Sequence, residues 1–303
     1  MEEGKPSFTA EIDAVIRTAE TEKPESERLC YDPFARGFLG TTNRVIGMIP
    51  PLRRLGLWYI ERKHPFILDC IPARTRYIDE YLNKCIDDGL EQLIILGAGY
   101  DSRAYRLERL RETVTVFEVD HPATQQRKME LLKKMMDPLP SNVVYVPIDF
   151  NKEMLPQRMS ESGFDRDKKS LFIWEGVTPL LTAEAVNETL KFVAENSGPG
   201  SSIIFNYILK SLVDGTCQIE GAKEIRRAFS RGGMLDFHSN RGDRLMFGIE
   251  EGTIEAFLSE RGFQQIIDIS GDYYDAEYFK GANRYQKGCC LCRVVYATVK
   301  PEG

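Results

Sequence analysis

Two glycines and an acid in this sequence stand at the spacing of a nucleoside-binding site. Gly97 and Gly99 follow the apolar run 93–96, which predicts a buried strand that ends in a sharp turn. Asp120 ends the next predicted strand, 114–119, about 20 residues beyond the glycines, where an acid typically accepts hydrogen bonds from ribose hydroxyls. A Gly-x-Gly turn alone is also typical of other α/β domains. Together with the acid, the pattern predicts a site for an adenosine-bearing cofactor.

Acids follow two further predicted strands in the same way. Asp149, with Phe150 beside it, ends the β-branched run 142–148, and Glu175 follows the run 170–174. Any one of these acids could simply cap a helix, but four successive strand ends with glycines or acids favour one shared crevice. There Asp149 can accept a hydrogen bond from an exocyclic adenine amine, and the Phe150 N–H can donate to a ring nitrogen. Glu175 can hold a ligand ammonium or orient a substrate.

S-adenosylmethionine has the groups that such a crevice can hold, namely ribose, adenine and an ammonium, and it has no phosphates. A dinucleotide fits less well, because its pyrophosphate prefers a helix N-terminus with few acids nearby. The third glycine of the dinucleotide fingerprint is also replaced, by Ser102. Arg74 stands before the core, where it is either a solvated arginine or a bidentate partner of the methionine carboxylate.

The elements that must position these residues alternate along the chain. Strands are predicted at 93–96, 114–119, 142–148, 170–174 and 201–205, and helices at 8–22, 74–90, 103–110, 124–136, 183–196 and 253–261. Strands that alternate with helices indicate an α/β fold with a doubly wound, mostly parallel sheet. Two late strands, 265–269 and 291–299, are predicted to pair as an antiparallel hairpin at the sheet edge and to bring the sheet to seven strands.

The sequence also predicts how the chain is divided. Residues 1–90 are expected to form an N-terminal helical cap that leads into a core of residues 91–303. Residues 207–250 interrupt the alternation and are expected to be an inserted lid or substrate element, since the apolar residues among their arginines need burial. The apolar stretch 44–59 fits either a helix on a membrane surface or a cap over the active site, and the cap is favoured.

Composition argues against several classes of protein. The 303 residues carry a net charge of −6, so no basic surface favours a nucleic-acid partner. Apolar runs are far shorter than a membrane span, and no signal peptide is predicted. Seven scattered cysteines favour a reducing, cytoplasmic location over a disulfide framework and show no metal-binding spacing. We expect no nucleic-acid, membrane or metal partner, and the sequence leaves the oligomeric state open.

Several motifs together resemble the leucine carboxyl methyltransferase family, which includes many prokaryotic S-adenosylmethionine-dependent methyltransferases. They occur in order between about residues 10 and 210, at 32–35, 73–76, 95–107, 117–122 with Lys128, and 174–177. The resemblance implies a Rossmann-like methyltransferase fold with S-adenosylmethionine as cofactor. It implies the following cofactor residues: Arg74, Gly97, Asp120, Asp149, Phe150 and Glu175. Gly99 joins them from the glycine pattern described above.

Methyl transfer is a direct displacement, so the protein mainly has to align the acceptor, the methyl carbon and the sulfur. A carboxylate acceptor is ionised at neutral pH and needs no general base, in agreement with a chain that has only three histidines. A hydroxyl acceptor needs a base, for which His238 and His121 are the first candidates. Candidates for a catalytic residue in general are Glu175, Tyr207 and His238.

We therefore predict an S-adenosylmethionine-dependent O-methyltransferase that acts on a carboxylate, borne by a small molecule or by a protein C-terminus. Three alternatives remain open at this point. The acceptor can be a small-molecule hydroxyl, the protein can be an NAD(P)-dependent oxidoreductase on a similar sheet, or it can bind a cofactor without catalysis.

Overall fold

A seven-stranded sheet runs through the part of the chain that the structure describes, in the order β3-β2-β1-β4-β5-β7-β6. The structure is a computed structural model, and it describes residues 8–63, 67–149, 153–219, 222–230, 245–280 and 292–301. The strands are β1 Gln92–Leu96, β2 Thr115–Asp120, β3 Val143–Pro147, β4 Ser170–Trp174, β5 Ser202–Ile208, β6 Phe263–Ile269 and β7 Cys292–Val299.

Strands β1 to β5 are parallel, and β7 runs antiparallel to both of its neighbours, β5 and β6. Every residue of β1, β4 and β5 is buried, because helices cover both faces of the sheet, and strands of this kind are continuous apolar runs in the sequence. The predicted mostly parallel sheet and its antiparallel edge hairpin are therefore confirmed. β5 continues to Ile208, so residues 207 and 208 belong to the sheet and not to the predicted insertion.

The helices lie before β1 and between the strands. Their bounds are α1 Phe8–Thr21, α2 Ala35–Phe38, α3 Thr41–Met48, α4 Pro50–Lys63, α5 Ile67–Asp87, α6 Arg103–Arg106, α7 Arg109–Thr113, α8 Pro122–Leu132, α9 Leu155–Glu161, α10 Ala183–Glu195, α11 Lys210–Asp214, α12 Ala222–Ser230, α13 Ile254–Ser259 and α14 Gly271–Glu277. A 3-10 helix spans Thr178–Leu180. Of the predicted insertion, residues 231–244 lie outside the described residues.

The prediction of one helix over 103–110 is wrong, because two short helices, α6 and α7, replace it. Leu107 at the end of α6 is extended, with φ −97° and ψ 96°. Arg111 of α7 donates to the carbonyl oxygen of Tyr105 at 2.6 Å and so satisfies a free acceptor at the end of α6. Asp101, and not Ser102, supplies the side-chain acceptor at the start of α6, for the Arg103 N–H at 2.8 Å.

The N-terminal helices share a core with the sheet. Ala14 of α1 and Ala73 and Ile78 of α5 lie in the same apolar cluster as Leu93 and Ile95 of β1. The described helices α3 and α4, which cover the apolar stretch 44–59, leave several large apolar side chains exposed: Val45, Met48, Ile49, Leu52, Leu55 and Trp58. Among the described residues no helix combines the length and the apolar character that crossing a membrane requires.

Candidate active site

The candidate site lies where the strand order reverses, between β1 and β4. At such a point in an open parallel sheet, the connection after one strand passes over one face of the sheet and the connection after its neighbour passes over the other face. A crevice therefore opens between them, beyond the carboxyl ends of the strands. Gly97 and Gly99 follow β1 there, Asp120 is the last residue of β2, and Glu175 follows β4. The structure thus brings these four predicted residues together at the carboxyl end of the parallel strands.

The turn after β1 depends on its glycines. Gly97 and Gly99 have φ of +67° and +43°, in the left-handed region that disfavours other residues. The Gly97 N–H donates to the carbonyl oxygen of Val119 at 2.8 Å. A Cβ at position 97 would lie only 2.4 Å from Cγ2 of Val177, in the loop after β4. The first glycine therefore allows close packing between two loops that border the crevice.

Gly97→Ala is expected to lower the free energy of unfolding by about 3 kcal/mol, since left-handed strain and a steric clash add together. Gly89→Ala is the matched control, because Gly89 has a similar φ of +82° with nothing within 4 Å of its added Cβ. We expect about 1 kcal/mol there. Urea unfolding of both variants measures the difference, and equal losses would contradict the proposed clash with Val177.

Asp120 joins the glycine turn to the start of α8. Its Oδ2 accepts a hydrogen bond from the Gly99 N–H at 2.5 Å, and its Oδ1 accepts one from the His121 N–H at 2.6 Å. The carboxylate is 8% exposed, and burial raises its pKa above the ordinary value. Nδ1 of His121 accepts from the Ala123 N–H at 3.3 Å, so this histidine caps α8.

Glu175 is held between two arginines. Nε of Arg74 donates to its Oε1 at 2.7 Å, and a terminal nitrogen of Arg103 donates to its Oε2 at 2.8 Å. Burial alone would raise the pKa of Glu175, but the two guanidinium groups outweigh burial and hold that pKa well below the usual range. A carboxylate with so little proton affinity is a poor general base.

Arg103 is the centre of a buried network of ion pairs and is only 1% exposed. In addition to Glu175 it contacts Asp101 through a short hydrogen bond, and its Nε donates to Asp79 of α5 at 2.7 Å. Arg106 pairs with the same Asp79 at 2.7 Å. The network ties α5, the glycine loop and the end of β4 into one rigid wall of the crevice.

Helix α1 lies across the same crevice. A Cβ at position 99 would be 3.1 Å from Cβ of Ala10, and Asp13 meets Arg74 at 3.3 Å. Arg17 donates to the carbonyl oxygen of Tyr100 at 2.7 Å, which fixes α1 to the glycine loop. Sequence reasoning missed these α1 residues as part of the site. The spacing of Asp13 and Arg17, which lie four apart on a helix with an apolar face, is the available signal.

Asn206 was also missed, although it shapes the end of β4. Its Oδ1 accepts a hydrogen bond from the Gly176 N–H at 2.6 Å, and its carbonyl oxygen accepts one from the Thr178 hydroxyl at 2.5 Å. Gly176 has a φ of +75°. A polar side chain inside the otherwise apolar strand β5 is the signal that could have identified it.

Tyr207 lies apart from this group, in β5, two strands away from β1. It is 2% exposed, and its hydroxyl donates to Oδ2 of Asp268 at 3.1 Å. Arg293 pairs with the same oxygen at 2.7 Å. Burial and Asp268 raise the pKa of Tyr207, so its hydroxyl stays protonated at neutral pH.

Asp149 follows β3, the neighbour of β2, and its N–H donates to Glu153 at 2.8 Å. Phe150 and His238 lie outside the described residues. Within those described residues, no group of three or more His, Cys, Asp or Glu side chains is arranged to hold a metal ion.

Comparison with known proteins identifies relatives over most of the chain. The family model described as leucine carboxyl methyltransferase matches residues 10–194. A protein of Mycolicibacterium paratuberculosis, named as a candidate S-adenosyl-L-methionine-dependent methyltransferase, is 29% identical over 268 residues, which cover 82% of this chain and 81% of that protein. YktD of Bacillus subtilis, which has the same descriptive name, is 36% identical over 140 residues.

The alignments differ in how much of each relative they cover. The chain spans 46% of the length of YktD and 62% of a Mycobacterium sp. (strain JLS) relative that is 32% identical over 198 residues. The fold has a solved counterpart in a candidate methyltransferase from Thermobifida fusca, with a TM-score of 0.58 and 13% identity over 99% of this chain and 97% of that one. This likeness shows a shared fold.

Proposed function

The chain belongs to the leucine carboxyl methyltransferase family, and we propose from this premise that it is an S-adenosylmethionine-dependent O-methyltransferase that converts a carboxylate into its methyl ester. One observation carries the proposal within the structure. Asp120 and the Gly99 turn are in direct contact at 2.5 Å, at the edge of the sheet where Arg74 and Glu175 also lie. A ribose and an amino-acid group need this set of donors and acceptors.

The cofactor would be held by residues at the carboxyl ends of β1, β2 and β3 and by Arg74 of helix α5. The backbone of Gly97 and Gly99, together with the carboxylate of Asp120, suits the ribose. Asp149 and Phe150 are assigned to the adenine. Arg74 suits the methionine carboxylate, because a guanidinium pairs with a carboxylate through two parallel hydrogen bonds.

The protonation states of the candidate general bases support a carboxylate acceptor. Glu175 has a lowered pKa, and the hydroxyl of Tyr207 has a raised one, so neither is a ready proton acceptor at neutral pH. His121 is engaged as a helix cap. A carboxylate acceptor requires none of them, since it is already ionised. His238 is still a candidate base for a hydroxyl acceptor, so the test below also includes alcohols.

The chemistry that the cofactor supplies when bound is an activated methyl group on a positively charged sulfur. The chain then has to orient two partners and keep water away. The buried network around Arg103 gives the crevice a rigid wall, and Arg17 attaches α1 to the glycine loop that borders it. Rigid positioning of this kind is the main source of rate acceleration in a displacement that moves no proton.

Titration calorimetry with S-adenosylmethionine, S-adenosylhomocysteine, NAD and NADP tests the cofactor, and binding of the sulfur ligands alone is expected. Transfer of a tritiated methyl group to carboxylic acids, to peptides with free C-termini and to matched alcohols then tests the acceptor. A methyl ester releases its label as methanol in alkali, whereas a methyl ether retains it. Label that withstands alkali would overturn the carboxylate proposal, and binding of NAD alone would overturn the methyltransferase assignment.

The pH profile gives an independent prediction. With a saturating carboxylate acceptor, the rate constant of a single methyl transfer is expected to stay nearly constant between about pH 6 and pH 9, because the nucleophile is ionised throughout. A hydroxyl acceptor with a histidine base would instead show a rate that rises through the pKa of that histidine. Single-turnover measurements across this range distinguish the two, and a rising limb would contradict carboxylate methylation.

A further inference from the structure

Two carboxylates meet Arg74 at the crevice, and their surroundings differ. Glu175 accepts hydrogen bonds from guanidinium groups at both oxygens, at 2.7 and 2.8 Å. Asp13 of α1 meets Arg74 through Oδ2 at a longer 3.3 Å. Their side chains are 10% and 20% exposed, so Asp13 is the more accessible of the two. Two guanidinium groups already balance the negative charge of Glu175, so this carboxylate attracts an incoming cation less strongly than Asp13 does.

The pKa values of Glu175 and Asp13 also differ, in opposite directions from their ordinary values. The pKa of Glu175 lies well below its usual range because of Arg103 and Arg74. The pKa of Asp13 is raised, because burial outweighs the attraction of Arg74 and Arg17. A buried carboxylate whose pKa is raised in this way is stabilised in its ionised form when a further positive group approaches.

Asp13 also lies close enough to Arg74 for the two residues to bind the ammonium and the carboxylate of one amino-acid group. In an amino-acid group the ammonium and the carboxylate are attached to one carbon, so their two partners must be neighbours. Arg74 and Asp13 are neighbours of opposite charge, whereas Glu175 is already shared between Arg74 and Arg103. Oδ2 of Asp13 would be 3.8 Å from a Cβ at position 176, where the chain has a glycine that leaves this space open.

We propose that Asp13 binds the ammonium group of the cofactor's methionine part, and that Glu175 holds Arg74 and Arg103 in place without receiving the ammonium itself. The proposal rests on the proposed function, since it assigns a further binding residue of the same site. It replaces the sequence-based expectation that Glu175 holds the ammonium. It also gives α1 a direct part in ligand binding, in addition to its contact with the glycine loop.

Asp13→Asn is the variant of choice, because the amide keeps the shape of the side chain and removes its charge. The ligands are S-adenosylhomocysteine and its deaminated analogue, which keeps the carboxylate and lacks the ammonium. We expect the variant to bind S-adenosylhomocysteine about 30-fold more weakly than the wild type does. Its affinity for the deaminated analogue should change less than about twofold, since only the charge pair is lost.

A purely structural role of Asp13 would weaken the binding of both ligands equally, and that result would overturn the proposal. Glu175→Gln is the matched control, and we expect it to weaken both ligands alike because it disturbs Arg74 and Arg103. The wild type gives a test without any variant, since equal affinity for the two ligands would also overturn the assignment. A wild type that binds neither ligand would instead overturn the proposed function itself.

The melting temperature of the ligand-free protein completes the test. Neutralising a carboxylate whose pKa is raised by burial should leave the stability of the folded chain unchanged or slightly higher. A large drop in melting temperature for Asp13→Asn would show that Asp13 serves the fold and would overturn the binding role.

Discussion

Replacing Asp120 with alanine is expected to weaken the binding of S-adenosylhomocysteine more than about 100-fold, which is the largest effect on affinity that the structure predicts. Hydrogen bonds from two ribose hydroxyls to a charged acceptor contribute about 1.5–3 kcal/mol each. The same carboxylate accepts from the Gly99 and His121 N–H groups at 2.5 and 2.6 Å, so its loss also loosens the turn that borders the ligand.

This variant should also be less stable without ligand, by about 2 kcal/mol, because the buried Gly99 N–H and the partly buried His121 N–H lose their acceptor. Calorimetry well below the melting temperature separates the two effects. Asp87→Ala is the control, since Asp87 is 65% exposed and pairs with Arg109 on the surface. Affinity within threefold of the wild type would show that the acid after β2 has been misassigned.

Replacing Arg103 with methionine is expected to cost about 4 kcal/mol of stability at neutral pH, the largest effect on the fold. The guanidinium is 1% exposed and contacts Asp79, Asp101 and Glu175. Removing it takes a guanidinium away from Asp101 and leaves Glu175 with Arg74 and Asp79 with Arg106. Loss of one partner from a buried ion-pair network is far more costly than loss of a surface pair. Arg109→Met removes such a surface pair and should cost less than about 1 kcal/mol.

The difference in the free energy of unfolding between the wild type and Arg103→Met should become smaller in acid. In the wild type the folded pKa of Glu175 lies below its unfolded value, so its ion pairs contribute stability above about pH 4 that is lost as the pH falls toward the folded pKa. In the variant Glu175 keeps Arg74 and loses Arg103, so its folded pKa is expected to lie closer to the unfolded value, and less stability is lost as the pH falls. Urea unfolding at pH 7 and in mild acid measures this change, and a constant difference would contradict the assigned ion pairs.

The strand ends were predictable from the sequence because their signal is local. Strands covered on both faces are apolar runs, so β1 and β4 stand out, and Gly97, Asp120 and Glu175 follow directly from where they end. The mostly parallel sheet and the late antiparallel hairpin were predicted in this way and are confirmed. The family was predicted from the resemblance of several motifs and is confirmed as well. A parallel sheet also fixes which strand ends meet, so the shared edge needed no knowledge of side-chain contacts.

What the sequence could not provide is the set of partners of each charge. Arg74 and Arg103 reach Glu175 from 101 and 72 residues away along the chain, and Arg17 reaches Tyr100 from 83 residues away. No local pattern encodes pairings at such separations. The break between the short helices α6 and α7 was missed for a related reason. The end of α6 is stabilised by the Arg111 side chain of α7, which donates to the carbonyl oxygen of Tyr105.

The position of β7 has a consequence for how the chain folds while it is being synthesised. β7 lies between β5 and β6, and its Val294 pairs in register with Asn206, the residue that holds the turn after β4. In a growing chain that has not yet reached residue 292, β5 and β6 both lack the strand that pairs with them in the finished sheet. Open edges invite pairing with other chains. The late segment that forms β7 thus both pairs with the strand that carries Asn206 and protects β5 and β6 from aggregation during synthesis.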